Sequence, residues 1–176
     1  TPPIVIDAGT GIRRLGKSLM EESFGDGKGE AAILISHTHW DHVQGLPFFP
    51  PLQDPRSAID IYGPRQPDGS LREVFDGLMC PPYFPVRADQ LGGAVHWHDI
   101  GDDSFAVGTA AKVRSRFVRH VGATLGFRVD WHGASVAYIS DHGQACGDAP
   151  SDDFVPDAIL ELCDGADLVI HDAQHT

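Results

Sequence analysis

The sequence predicts an α+β fold in which helices lie outside packed sheets, and three features carry that prediction. Short apolar runs alternate with helical spacing in the N-terminal half. From about residue 94, strand-like runs follow one another with short polar or glycine turns, and a last helical pattern precedes a final apolar run. At 176 residues the chain fits a single domain, residues 1–176, large enough to bury a core.

The elements follow in order. PIVID, residues 3–7, reads as a short buried strand, and Gly9 and Gly11 mark a turn. Ile12, Leu15, Leu19 and Met20 recur at helical spacing and predict an amphipathic helix over 12–22. The glycine-rich FGDGKGE is a loop, AAILIS (31–36) is a fully apolar strand, and the prolines of PFFPPLQDP stop any helix after it. Residues 58–62 form another strand; Ser70, with Glu73 three positions on, is placed to cap a helix over 71–79. VHWHDI, SFAVGTA, KVRSRFV, TLGFRVDW and ASVAYISD predict an antiparallel meander. Phe154, Ile159, Leu160 and Leu162 give the apolar face of a helix over 153–163, and DLVIHDA is the last strand.

Composition narrows the function. Hydrophobic residues at 41% and charged residues at 22% are ordinary for a globular protein. No apolar run approaches the roughly 18 residues of a membrane span, so no membrane association is expected. A net charge of −12 argues against a surface built to neutralise nucleic-acid phosphates. Cys80, Cys146 and Cys163 show no CxxC spacing, and reduced thiols in a cytoplasmic setting are the simplest reading. The chain opens on TPPIVIDAG and ends on HDAQHT, which suggests processing or a piece of a longer protein.

Three histidines and an aspartate crowd into HTHWDH, directly after the apolar run. His37 and His39, two apart in an extended segment, point the same way and can share one metal ion. Asp41 and His42 turn off to a neighbouring position. Imidazole and carboxylate without thiolate suit zinc, with manganese or iron(II) as alternatives. Other histidines carry less: His96 and His98 alternate on one strand face without a third ligand, and His171 on an apolar strand would ordinarily be a hydrogen-bonded core residue.

The hexapeptide His37-Thr38-His39-Trp40-Asp41-His42 resembles the HxHxDH signature of the metallo-β-lactamase fold superfamily. DAGTG at 7–11 resembles its first motif, RHVGATLGFRV contributes His120 as third motif, AYISDHG contributes Asp141, and ADLVIHDA resembles a later motif around His171. The resemblance implies an αββα sandwich of two mixed or antiparallel sheets flanked by helices, incomplete at one or both termini. It further implies one metal held by His37, His39 and His120, and a second held by Asp41 and His42, with Asp141 bridging. A last histidine ligand lies, in that family, well beyond the strand matching DLVIHDA, and His175 sits close to that strand. Asp7 is expected to support ligands rather than to bind metal.

Residues 11–18, GIRRLGKS, also match GxxxxGK[ST], the phosphate-binding loop of nucleotide hydrolases. Such a loop needs free backbone amides around phosphate. The helical spacing of Ile12, Leu15 and Leu19 engages those amides instead, so Lys17→Ala should cripple an ATPase and be silent in a zinc hydrolase.

Two metals roughly 3.5–4 Å apart can share a hydroxide and stabilise developing charge, which predicts metal-assisted hydrolysis. In this expectation Asp41 and Asp141 orient the nucleophile and His171 protonates the leaving group. DAGTGIRRLG, HTHWDHVQG, IYGP and PPYFPV look most like the branch holding transfer-RNA 3′-processing endonucleases and cyclic phosphodiesterases. Those RNA processors carry an inserted arm between the third and fourth motifs, whereas here Asp141 follows His120 by 21 positions. A small phosphodiester such as a cyclic nucleotide is therefore favoured over structured RNA. A lactone or thioester hydrolase with the same site, a non-catalytic metal-binding domain and homo-oligomerisation stay open.

Overall fold

A computed structural model of the protein describes residues 1–22, 24, 29–143 and 155–172. Most of the glycine-rich loop, Cys146, Phe154 and His175 lie outside the described residues. The chain forms two compact units, Pro2–Asp99 and Ile100–Thr176.

The first unit is built on a four-stranded sheet in the order β1 (Ile4–Ile6), β2 (Glu30–Leu34), β3 (Ala58–Pro64) and β4 (Ala94–Ile100). β1 and β3 both run parallel to β2, with Ile33 registered between Val5 and Ile61. A central parallel strand is covered on both faces, which accounts for the unbroken apolar run of β2: Ala31 to Leu34 are all buried. Helix α1 (Ile12–Glu21) connects β1 to β2. At Gly16 it approaches the chain so closely that a Cβ would lie 2.5 Å from the Pro50 ring. The Arg14 and Leu15 amides both donate to the Gly11 carbonyl, so they are engaged in helix rather than displayed for phosphate.

Between β2 and β3 run one turn of helix, α2 (Trp40–Val43), and two 3₁₀ turns, Leu46–Phe48 and Pro50–Gln53. Prolines at the first positions of the 3₁₀ turns sit where a missing N–H costs nothing. Helix α3 (Leu71–Leu78) starts on the expected capping box: the Glu73 amide donates to Ser70 Oγ at 3.2 Å, and the Ser70 amide donates back to Glu73 Oε2 at 2.6 Å. Ile33, Ile35, Leu46, Phe49, Ile59, Ile61 and Phe75 form the buried core of this unit.

The second unit holds the five-stranded sheet β5 (Ser104–Val107), β6 (Ala111–Phe117), β7 (Leu125–Trp131), β8 (Ala134–Ile139) and β9 (Leu168–His171). β5 to β8 form the antiparallel meander, and β9 adds parallel to β8 after helix α4 (Asp157–Cys163). A parallel neighbour requires a crossover, and α4 lies within it. Arg128, buried on β7, donates to the Leu162 and Asp164 carbonyls at 3.1 and 2.6 Å, satisfying the C-terminal end of α4.

Two expectations need correction. VHWHDI is not the first strand of the meander: β4 belongs to the four-stranded sheet. Val95 and Trp97 pack on the core of the first unit, the Trp97 ring tilted 33° to that of Phe75 with centroids 5.0 Å apart. Leu160 is not part of the apolar face of α4; Ile159 and Leu162 are buried while Leu160 is exposed.

Candidate metal centre

The turn after β2 is organised around one carboxylate. Asp7, in the turn after β1, adopts φ = 60°, a conformation aspartate tolerates better than most residues. Its amide donates to Leu34 O at 2.8 Å, which pins the β1 turn beside the end of β2. The Asp7 side chain accepts from the Ser36 amide at 2.7 Å and from Ser36 Oγ at 2.9 Å. His42 Nδ1 lies 2.8 Å from Asp7 Oδ2. The backbone is locked as well: the Ala8 amide donates to His42 O, and the Gly45 amide to Ala8 O. Gly45 admits no side chain, because a Cβ there would fall 2.0 Å from the Gly9 carbonyl oxygen.

This network places protons on two ring nitrogens. The Asp7 carboxylate accepts, so His42 Nδ1 carries a proton in that contact. Ser36 Oγ spends its proton on Asp7, so His37 Nδ1, 3.1 Å away, is the donor in that contact. His37 Nε2 lies 2.9 Å from His39 Nδ1, within hydrogen-bond distance. His42 Nε2 stands 3.4 Å from Asp41 Oδ2, so this imidazole lies between two carboxylates. Imidazoles and a carboxylate gathered without thiolate are a donor set of the kind that suits a metal ion, and outer hydrogen bonds orient the His37 and His42 rings. The three imidazoles are packed together, with the His37 ring centroid 4.5 Å from His39 and 4.3 Å from His42.

The second unit contributes another pair. His120 follows β6, and Asp141 follows β8 in a left-handed conformation with φ = 44°. His120 Nε2 lies 3.9 Å from Asp141 Oδ2. Ser140 Oγ donates to Asp141 Oδ1 at 3.3 Å, and the Gly143 amide donates to Arg119 O at 3.0 Å, tying the two turns together.

His171 is exposed rather than buried in a core. Its Nδ1 sits 2.6 Å from the Asp172 carbonyl, and its ring meets that of His142 edge-on at 5.6 Å. Burial, then the charges of His171 and Arg119, hold His142 below the usual imidazole value. His96 is exposed, and His98 pairs with Asp60 at 2.7 Å while stacking on Tyr62. Asp7 meets Ser36 and His42 directly; Ser36 was not singled out from the sequence. Ser36 had a usable signal, a hydroxyl between an apolar strand and the first histidine.

A family model described as "Beta-lactamase superfamily domain" matches residues 3–176. A protein from Mycobacterium leprae is 29% identical over 188 residues, covering 100% of this chain and 56% of its own length. Ribonuclease Z of Natronomonas pharaonis is 26% identical over 204 residues, covering 97% of this chain and 65% of its own. The chain thus spans little more than half the length of its mycobacterial relative. Among solved structures, human tRNase Z, short form, is similar with 25% identity and a TM-score of 0.60, over 96% of this chain and 66% of that one. Zinc-bound PqqB from Methylobacterium extorquens has 19% identity and a TM-score of 0.63, over 96% of this chain and 55% of that one.

Proposed function

Because the chain belongs to the β-lactamase superfamily, with ribonuclease Z among its relatives, we propose that it is a metal-dependent hydrolase of small phosphodiesters, a cyclic nucleotide being the type substrate. The observation that carries the reading is the gathering of the His37, His39 and His42 rings in one turn, with centroids 4.5 and 4.3 Å from that of His37 and with Asp7 against His42 Nδ1.

In this reading His37, His39 and His120 hold one ion, Asp41 and His42 hold the other, and Asp141 serves both. Zinc is the expected metal, manganese or iron(II) the alternatives. When bound, such ions supply an acidified water, with a pKa of about 7 at zinc, and polarise the phosphoryl oxygen. The chain does the rest. Asp41 and Asp141 accept hydrogen bonds from the attacking water and fix its direction. His171 Nδ1–H is held by the Asp172 carbonyl, which leaves Nε2 to carry a proton to the leaving oxygen. No helix among the described residues is long and apolar enough to cross a membrane.

Similarity to ribonuclease Z makes RNA the second reading. The net charge of −12 and the 21 positions from His120 to Asp141 speak against it, since a polyanion needs a basic surface to neutralise its phosphates.

Metal content per chain and hydrolysis of bis-p-nitrophenyl phosphate, a lactone and nitrocefin test the proposal side by side. About two ions and preferential cleavage of the phosphodiester are expected. Preferential lactone cleavage would reassign the substrate, and a loaded protein inert towards all three would leave a metal-binding domain. Absence of bound metal after zinc exchange would end every hydrolase reading.

A further inference from the structure

Beside the donor turn lies a cleft that the metal chemistry does not use. Trp40, Phe48, Phe75, Leu78, Tyr83 and Phe84 line it, with the Gln44 amide among them. Trp40, Phe48 and Tyr83 are 59, 56 and 82% exposed, a large apolar area left in water. Phe48 meets Phe84 in a T-shaped contact at 5.6 Å and 87° while staying more than half exposed. Trp40 separates His39 from Asp41 in the chain, so this wall begins one residue from two of the donors.

We propose that the cleft is the nucleobase subsite of the phosphodiesterase: a flat heterocycle stacks against Trp40, Phe48 and Tyr83 while its phosphate lies at the donors. The inference rests on the phosphodiester reading above and names what the diester carries. Three considerations select a base. Rings whose faces are exposed favour another ring, in stacked or edge-to-face geometry. The wall is uncharged, so it suits the neutral part of an anionic substrate rather than its phosphate. Gln44 offers both a donor and an acceptor, which matches the edge of a base and not an alkyl chain. Stacking tolerates any base, so adenine over guanine or a pyrimidine is not set by the aromatic wall.

The test separates this subsite from the hydrolase reading. Adenosine, which lacks phosphate, is titrated into the zinc-loaded protein by calorimetry, with cyclohexanol as the apolar control. In parallel, kcat/KM is measured for adenosine 2′,3′-cyclic phosphate and for glycerol 1,2-cyclic phosphate, the same cyclic diester without a base. Expected are adenosine binding, no comparable cyclohexanol binding, and a preference for the adenosine diester that falls about tenfold or more in Trp40→Ala and Tyr83→Ala, mainly through KM. Both positions are more than half exposed, and circular dichroism checks that the variants fold. Cleavage of both diesters without preference would overturn the subsite and keep the hydrolase. Adenosine binding that Tyr83→Ala abolishes, with neither diester cleaved, would keep the cleft as a base site and remove the hydrolase. Equal binding of cyclohexanol would refute base recognition.

Discussion

The two halves of the candidate donor set, one in each unit, are built differently. In Pro2–Asp99, His37 is 2% exposed, and Asp7 ties Ser36 and His42 into one hydrogen-bonded block. In Ile100–Thr176, the His120 and Asp141 side chains are 21 and 25% exposed and stand 3.9 Å apart, beyond hydrogen-bond reach. In the first half, contacts with Asp7 and Ser36 orient the His42 and His37 rings. In the second, the Gly143 amide ties the turn of Asp141 to that of His120 through the Arg119 carbonyl. Preorganisation lowers the ordering cost of binding; the first half should therefore govern affinity, and the second should govern turnover.

The largest expected effect tests the second half. Asp141→Ala should lower phosphodiester turnover by roughly 10³-fold or more, the scale on which a preorganised electrostatic group acts. Its stability should fall by only about 1–2 kcal/mol, the cost of alanine at φ = 44°, so the variant stays folded. Wild-type turnover in this variant would remove Asp141 from the mechanism.

Asp7→Asn tests the first half. The amide keeps the size and the tolerance for φ = 60° but cannot accept from all its present donors. Zinc affinity should fall about 10- to 100-fold, the range for lost outer-shell partners, as read by competition with a chelating dye. An unchanged affinity would mean that the His37 and His42 rings are oriented by something else.

Arg128→Ala is the control for stability without the donors. It strands the Leu162 and Asp164 carbonyls at the end of α4, and should cost about 3 kcal/mol in a denaturant titration. If zinc affinity stays within about twofold of wild type, the first half is independent of this packing. A parallel loss of affinity would show that the two halves are coupled through the fold.

Ser70→Ala is the smallest, at about 1 kcal/mol, the usual worth of an N-cap. The Ser70 amide and hydroxyl hold Glu73 below its ordinary value of 4.5. A depressed folded-state carboxylate stabilises above the unfolded value and loses that contribution as pH falls through the folded one. The wild type should therefore lose a small, solvent-screened part of its stability below pH 4.5, and Ser70→Ala should lose less. Equal acid sensitivity would show that Glu73 does not titrate against the cap.

Much of this was legible in the chain, and the reason is range. The capping box spans three residues, and β2 announces itself by a run that only burial on both faces explains. The donors of HTHWDH were legible for the same reason, since a period of two along extended chain aligns side chains. The strand partner of VHWHDI was not. Alternation states that one face is buried, but not against which sheet. The exposure of Leu160 depended likewise on which side of α4 met the sheet.

What the sequence determined by itself is the chemistry on offer: imidazoles and carboxylates without thiolates, an acidic surface, and strands and helices in a readable order. Tertiary structure alone decided how those groups are used. Asp7 and Ser36 are 29 positions apart, and Asp7 and His42 are 35 apart. Nothing local relates them. Only the parallel pairing of β1 with β2 brings the carboxylate under the histidine turn, where it meets His42 Nδ1 and the Ser36 hydroxyl that faces His37.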